Sequence, residues 1–301
     1  MIDAPIFLEP RLFPRVWGGD RLAREFGRTL GEEPVGESWE IHGDLLVEGS
    51  GQTLDQLCRE HGEQLLGRAV EFSGSFPILT KWLDCKAWLS VQVHPDDALA
   101  RELTGDPGAR GKTEAWYVHR ADSEAQLIHG LAPGVTASQL REPRGESIVE
   151  LLSRHSSQAG DLLFTAAGVV HALGPGNFIY EVQQSCDLTY RFYDWGRDRE
   201  VHPEKAARCA EEAVDSGGRV DETSLSCPYF RMQVVTGETG FELDGCSFEI
   251  IATTSAAVDL RWSGGQRTLP PGTSVLLPAN LGQVELGGEI SQPVLRIGVP
   301  E

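Results

Sequence analysis

Side chains of metal-ligating type fall in three separated segments of this chain. "LSVQVHPDD" offers Gln92 and His94, "GKTEAWYV" offers Glu114 with Lys112 beside it, and "AAGVVHALGPGN" offers His171 after a glycine turn. In a strand, side chains two residues apart share a face, so Ser90, Gln92 and His94 line one side and Leu89, Val91 and Val93 the other. By the same period Lys112 and Glu114 share a face, opposite Thr113 and Ala115. Two imidazoles, one carboxylate and a nearby amide oxygen suit a divalent ion such as zinc, with room for water or substrate. One carboxylate against a dication leaves the site net positive and a strong Lewis acid.

A second stretch, "NFIYEVQQSCDLTYRFYDWGR" over residues 177–197, sets Glu181, Asp187 and Asp194 among aromatics with Arg191 and Arg197. Read as structure alone, it is a barrel strand with surface ion pairs, worth little each; read as chemistry, it is a cleft wall in which Arg191 binds an anionic oxygen of a substrate held at the metal. Only four lysines occur, Lys81, Lys86, Lys112 and Lys205, which gives weight to any lysine inside a motif. His42, His119, His129 and His155 have no company of this kind and are read as ordinary strand or surface histidines. Cys85 and Cys186 have no second thiol spaced to help them bind a metal, and are read as apolar packing.

The elements that must position these groups are mostly strands. "GESWEIHG", "PILTKWL", "AWLSVQVH", "TEAWYVH", "AQLIHGL", "GDLLFTA", "FIYEVQQ" and "LTYRFYDW" are short, turn-bounded and rich in aromatic or β-branched residues. Helical patterns are fewer. "TLDQLCREHGEQLLGRAV" opens on a Thr53 cap, and "HPEKAARCAEEAV" has a proline in its first turn. "TASQLREPRGESIVELL" reads as two short helices broken near Pro143. "DSGGRVDETS" reads as a linker. Gly160–His171, "GDLLFTAAGVVH", and Gly272–Gln283, "GTSVLLPANLGQ", can be laid on one another, which suggests a duplicated small barrel with Gln283 at the His171 position.

Composition narrows the function. The chain has 301 residues and a formal net charge of −19, a field that repels phosphodiester backbones and anionic membranes. An anionic small molecule would therefore need a local cluster of cations. The six cysteines form no CxxC pair and read as free thiols. "MIDAPIFLEP" is not a secretory leader, and no apolar run is long enough to span a membrane. The expectation is a cytoplasmic protein with a small-molecule partner, neither nucleic acid nor membrane, and with its oligomeric state left open.

Together, "GESWEIHGD", "PILTKWLDCKAWLSVQVHPDD", "GKTEAWYV", "GDLLFTAAGVVHALG" and "YEVQQSCDLTYRFYDWGR" resemble the type I mannose-6-phosphate isomerases, zinc-dependent cupins, in their shorter bacterial form. The resemblance runs in order from Trp17 to Trp195. It implies a mainly β fold of two cupin-like double-stranded β-helix (jelly-roll) barrels with a few helices. Residues 1–213 would be the catalytic domain, 214–224 a linker, and 225–301 a cupin-like domain without metal ligands. It implies one zinc ion per chain on Gln92, His94, Glu114 and His171. Ser90 and Lys112 would line the sugar pocket with Glu181 and Asp187 near it, and Arg191 and Lys112 would serve catalysis. Two departures stand out: Ala166 where the cupin turn usually has proline, and Cys186 where a small polar residue is common.

The implied reaction interconverts mannose 6-phosphate and fructose 6-phosphate by moving a carbon-bound proton through a cis-enediol. Glu181, Asp187 and a metal-bound hydroxide are all candidates to take that proton. Two rivals belong to other classes. A cupin dioxygenase generally uses iron on three histidines and a glutamate, and Gln92 in place of a histidine argues against it. A non-catalytic sugar-phosphate sensor would keep the pocket without the turnover.

Overall fold

The computed structural model describes residues 2–142, 145–213, 217–288 and 292–300. Its strands form four antiparallel sheets. The first is seven-stranded, in the order Arg11–Gly19, Val35–Ile41, Ile78–Cys85, Asn177–Gln184, Glu114–Ala121, Leu162–Thr165 and Gly218–Val220. A five-stranded sheet faces it, in the order Tyr190–Tyr193, Val91–Val93, His171–Leu173, Gln126–Leu131 and Leu152–Ser156. Residues of both sheets, among them Leu83, Trp116, Ile179, Leu127 and Leu173, fill the apolar end of the space between them. The remaining interior is polar and carries the site.

The chain beyond residue 223 repeats this plan with a five-stranded and a four-stranded sheet. Its interior has an apolar cluster that includes Ile251, Leu260, Val275, Val284 and Leu286, with the buried Glu249 paired to Arg231 and Arg296 on the same strand faces. The two-barrel cupin-like architecture is therefore present. Leu162–Thr165 followed by His171–Leu173 has its counterpart in Ser274–Leu277 followed by Gly282–Gly287. His171 is buried in the first barrel, Gln283 is exposed, and the neighbouring Val284 is the residue that turns inward.

Period-two alternation explains how one sheet serves two purposes. Along Asn177–Gln184, Phe178, Tyr180 and Val182 point away from the first barrel into a core shared with Phe230, Met232, Phe248 and Ile250 of the second. Ile179 and Glu181 point inward. The shared core is tight: the rings of Phe76 and Phe248 lie 4.7 Å apart, and the hydroxyls of Tyr180 and Ser274 are 2.9 Å apart. The outer face of the other sheet, with Val91, Val93 and Ile128, is covered by the helix Pro203–Glu211 and by two 3-10 segments, Ala137–Arg141 and Gly145–Leu151.

The helical expectations divide. Leu54–His61 is capped by Thr53 in a reciprocal box with Gln56, but Gly62, at φ 46°, breaks the run and Glu63–Leu66 follows as a separate turn. Pro203 does open its helix. The expected break near Pro143 lies outside the described residues, and so do residues 214–216 of the stretch read as linker. Within that stretch Gly218–Val220 is a strand paired with Leu162–Phe164 at the edge of the first sheet. All six cysteines are free thiols.

Candidate active site

His94 follows the strand Val91–Val93, Glu114 opens the strand Glu114–Ala121, and His171 opens the strand His171–Leu173. The first and third of these strands are neighbours, with Gln92 paired directly across from His171. A glycine makes that approach possible: Gly168, at φ 87°, donates its N–H to the His94 carbonyl at 2.8 Å and turns the chain toward His171. The polar face of "LSVQVH" thus points into the barrel, and Val91 and Val93 pack outward under the helices.

The three ligand-type side chains are almost fully buried, and one ligand atom from each lies within 4.8 Å of the others. His94 Nδ1 is 2.9 Å from the Leu188 carbonyl, and His171 Nδ1 is 2.9 Å from the Val169 carbonyl. Each contact requires Nδ1 to carry the proton, so each Nε2 presents a lone pair. His171 Nε2 sits 3.2 Å from Glu114 Oε1, and His94 Nε2 sits 3.6 Å from Glu114 Oε2. Glu114 Oε1 is buried without a hydrogen-bond donor. Converging buried lone pairs are costly unless a cation meets them, so His94, Glu114 and His171 form a group that could hold a metal ion. Part of that role falls to the Lys112 ammonium, which contacts Glu114 Oε2 and lies 3.1 Å from His94 Nε2.

Electrostatics follow from burial. Burial pushes His171 down to about 3, and it pushes His94 well below the ordinary imidazole value with help from the Lys112 charge. Both rings are therefore neutral, as metal ligands must be. Burial and the Glu181 charge push the Glu114 carboxyl up to about 7 against the pull of Lys112. Gln92 presents its amide nitrogen to His171 at 3.2 Å, while its oxygen accepts from Ser90 Oγ at 2.9 Å. A half-turn of the amide would exchange the two atoms and offer oxygen to a cation.

Directly beside this group lies a cavity of about 420 Å³, within the range of small-molecule sites. Ser90, Gln92, Lys112, Glu181, Asp187 and Arg191 all line it. Every residue given a metal, pocket or catalytic role from the sequence is thus either in the buried triad or on this cavity wall, whereas Asp194 and Arg197 are not. Glu181 accepts from Trp116 Nε1 at 2.9 Å through Oε2 and is ion-paired through Oε1 with Lys81 Nζ at 3.0 Å. Burial pushes its carboxyl up, but Lys112 and Lys81 together outweigh that and hold it below the ordinary value. Arg191 has its Nε buried without a hydrogen-bond partner.

Four further charged residues of the wall were given no role from the sequence: Arg15, Glu37, Lys81 and Arg199. Glu37 accepts from Arg15 Nε at 2.7 Å and from Trp39 Nε1 at 2.9 Å, and lies 3.8 Å from Lys81 Nζ. Burial pushes its carboxyl up, yet Lys81 and Arg15 outweigh it and hold the group at about 2. A signal for Lys81 was present: a lysine in the middle of "PILTKWL" has to be paired if that strand is buried. Arg15 and Arg199 belong to polar segments that resemble ordinary surface in sequence.

Residues 6–114 match the family described as phosphomannose isomerase type I, catalytic domain. The chain is 41% identical over 219 residues to the mannose-6-phosphate isomerase of Streptococcus mutans, spanning 70% of this chain and 67% of that protein. It is 32% identical over 319 residues to the mannose-6-phosphate isomerase ManA of Bacillus subtilis, spanning 96% and 97%. The crystal structure of the mannose 6-phosphate isomerase from Bacillus subtilis superposes with a TM-score of 0.84 at 30% identity, over 99% of this chain and 100% of that one. Relatives of this identity and coverage place the chain in the type I phosphomannose isomerase family.

Proposed function

We propose that this protein is a zinc-dependent aldose-ketose isomerase that interconverts mannose 6-phosphate and fructose 6-phosphate through a cis-enediol. The observation that carries the reading is the junction of two features: a buried group of two neutral imidazoles and a carboxylate, and a cavity beside it whose wall carries five cationic side chains. His94, Glu114 and His171, with Gln92 as a fourth donor after its amide turns, would hold zinc. Two nitrogens and carboxyl oxygen are a zinc donor set. When bound, the ion supplies Lewis-acid polarisation of the sugar carbonyl.

The chain's own residues supply the rest. Arg191, Arg199 and Arg15 give the acidic protein the local positive field that a sugar phosphate needs. Arg191, with unmet donors inside the cavity, stabilises negative charge as it develops on the substrate oxygens. Lys112, between the triad and the cavity, orients a hydroxyl or carries a proton. Glu181 is held ionised at a depressed pKa, which suits it to accepting substrate hydroxyls more than to taking a carbon-bound proton near neutral pH.

The test is a coupled assay of fructose 6-phosphate conversion on protein stripped with chelator and then resupplied with zinc. Activity should vanish and return with stoichiometric metal. Zinc-loaded protein that binds the sugar phosphate tightly without converting it would replace this reading with that of a sensor.

A further inference from the structure

One wall of the cavity depends on a carboxylate that does not reach it. Asp194 follows the strand Tyr190–Tyr193, and its side chain is only 1% exposed. It accepts from Arg199 Nε at 2.8 Å and Arg199 Nη2 at 2.6 Å, and from Arg197 Nη2 at 2.7 Å. Arg199 lines the cavity; Asp194 and Arg197 do not. The two-point grip on Arg199 uses Nε and Nη2 and leaves Nη1 for a ligand. One carboxylate shared by two guanidinium groups also leaves the cluster net positive.

The turn that carries this clamp is strained and fastened down. Trp195, at φ 56°, is the only non-glycine residue with positive φ among the described residues, and Gly196 follows at φ 76°. For a bulky residue that conformation is costly, and it persists only where the surroundings enforce it. The Trp195 indole donates to the Leu89 carbonyl at 2.7 Å and stacks on Trp88 with centroids 5.0 Å apart. Arg197 Nη2 donates to the Trp88 carbonyl at 2.8 Å. Leu89 is itself a cavity residue, so the turn is tied to the wall it serves.

Arg191 lines the same cavity, and its guanidinium is held below its ordinary value by burial and then by the Arg199 charge. Two guanidinium groups forced to face one space repel each other, and a dianionic ligand relieves both.

We propose that Asp194 is a positioning residue that acts through Arg199. It fixes that guanidinium so that Arg199 takes the phosphate group and Arg191 is left to the oxygens of the reacting carbons, and it thereby sets the preference for phosphorylated over unphosphorylated sugar. The identity of the sugar rests on the isomerase reading; capture of the phosphate does not.

The experiment uses the zinc-loaded full-length protein with Asp194→Asn, Arg199→Ala and the double variant. It measures KM and kcat for mannose 6-phosphate, and calorimetric binding of inorganic phosphate. Each single variant should weaken phosphate binding and raise KM about tenfold, the scale of a lost charge-assisted contact, with kcat within about threefold. The double variant should be no worse than the weaker single. Unchanged phosphate affinity in Asp194→Asn, or additive losses in the double variant, would overturn the proposal. Because removing a buried carboxylate from its arginines endangers folding, Arg199→Ala stands alone as the second arm: unchanged phosphate affinity there overturns it too. Wild-type protein whose phosphate binding is lost in Asp194→Asn and Arg199→Ala yet does not isomerise the sugar would sink the isomerase reading and leave this one standing.

Discussion

Arg191 and Glu37 show opposite ways of handling a charge beside the same cavity. Arg191 keeps a buried Nε unpaired, so its donors are available to the substrate. Removing it as Arg191→Ala should leave zinc content intact and cut turnover by about 100-fold, the scale of losing one preorganised donor to developing charge. Turnover at the wild-type level would remove Arg191 from the mechanism. Glu37 instead has its charge fully engaged by Lys81 and Arg15. A carboxyl held at about 2 against an ordinary 4.5 stabilises the fold above the ordinary value, and that contribution drains away as the pH falls from about 4.5 toward 2. At about 1.4 kcal/mol per unit it amounts to about 3 kcal/mol. Denaturant midpoints of wild type and Glu37→Gln should therefore differ at pH 7 and converge near pH 2; a constant gap would assign the effect to packing.

At the scale of elements, the turn at residues 166–170 leads from Leu162–Thr165 into His171–Leu173 and is tied to His94 by the Gly168 N–H. A Cβ on Gly168 would fall 2.7 Å from Ala213 Cα and 2.9 Å from the Cys209 carbonyl, at a φ that side chains disfavour. Gly168→Ala should cost about 2–3 kcal/mol, combining left-handed strain with forced backbone displacement. It should also lower metal affinity, because the same turn ties the His94 carbonyl and leads into His171. Equilibrium denaturation and zinc titration read the two effects separately. Normal zinc affinity in a destabilised Gly168→Ala would show that the strands, not the turn, set the ligand geometry.

For the whole molecule, the second barrel acts as a wall. Its five-stranded sheet covers Trp82, Phe178 and Tyr180 on the back of the sheet that carries Glu181 and Lys81. Deleting everything after residue 224 would expose that aromatic surface to water. The truncated chain should lose cooperative melting and aggregate, and Phe248→Ala in the full chain should cost about 3–5 kcal/mol. A soluble, cooperatively melting truncation that still binds zinc would show that the first barrel is self-sufficient. Among the described residues no helix is long and apolar enough to cross a membrane.

Local chemistry was legible in the sequence where the code is local. Period-two alternation put Ser90, Gln92 and His94 on one face and Lys112 beside Glu114, and Thr53 and Pro203 marked their helix starts, because these depend on near neighbours alone. The sequence by itself also determined that a protein with net charge −19 needed a local cationic cluster to take an anion. Tertiary structure decided which charges form that cluster. Every residue of Val35–Ile41 and of Ile78–Cys85 is buried, so alternation of apolar and polar types could not say that Glu37 and Lys81 face the cavity. Arg15 and Arg199 reach the same wall from segments far apart in the chain, and Asp194 matters only because the turn at Trp195 directs its arginine there. That His171 is buried while Gln283 is exposed has the same origin: a repeat fixes spacing along the chain, but sheet pairing decides which side of the barrel a side chain enters.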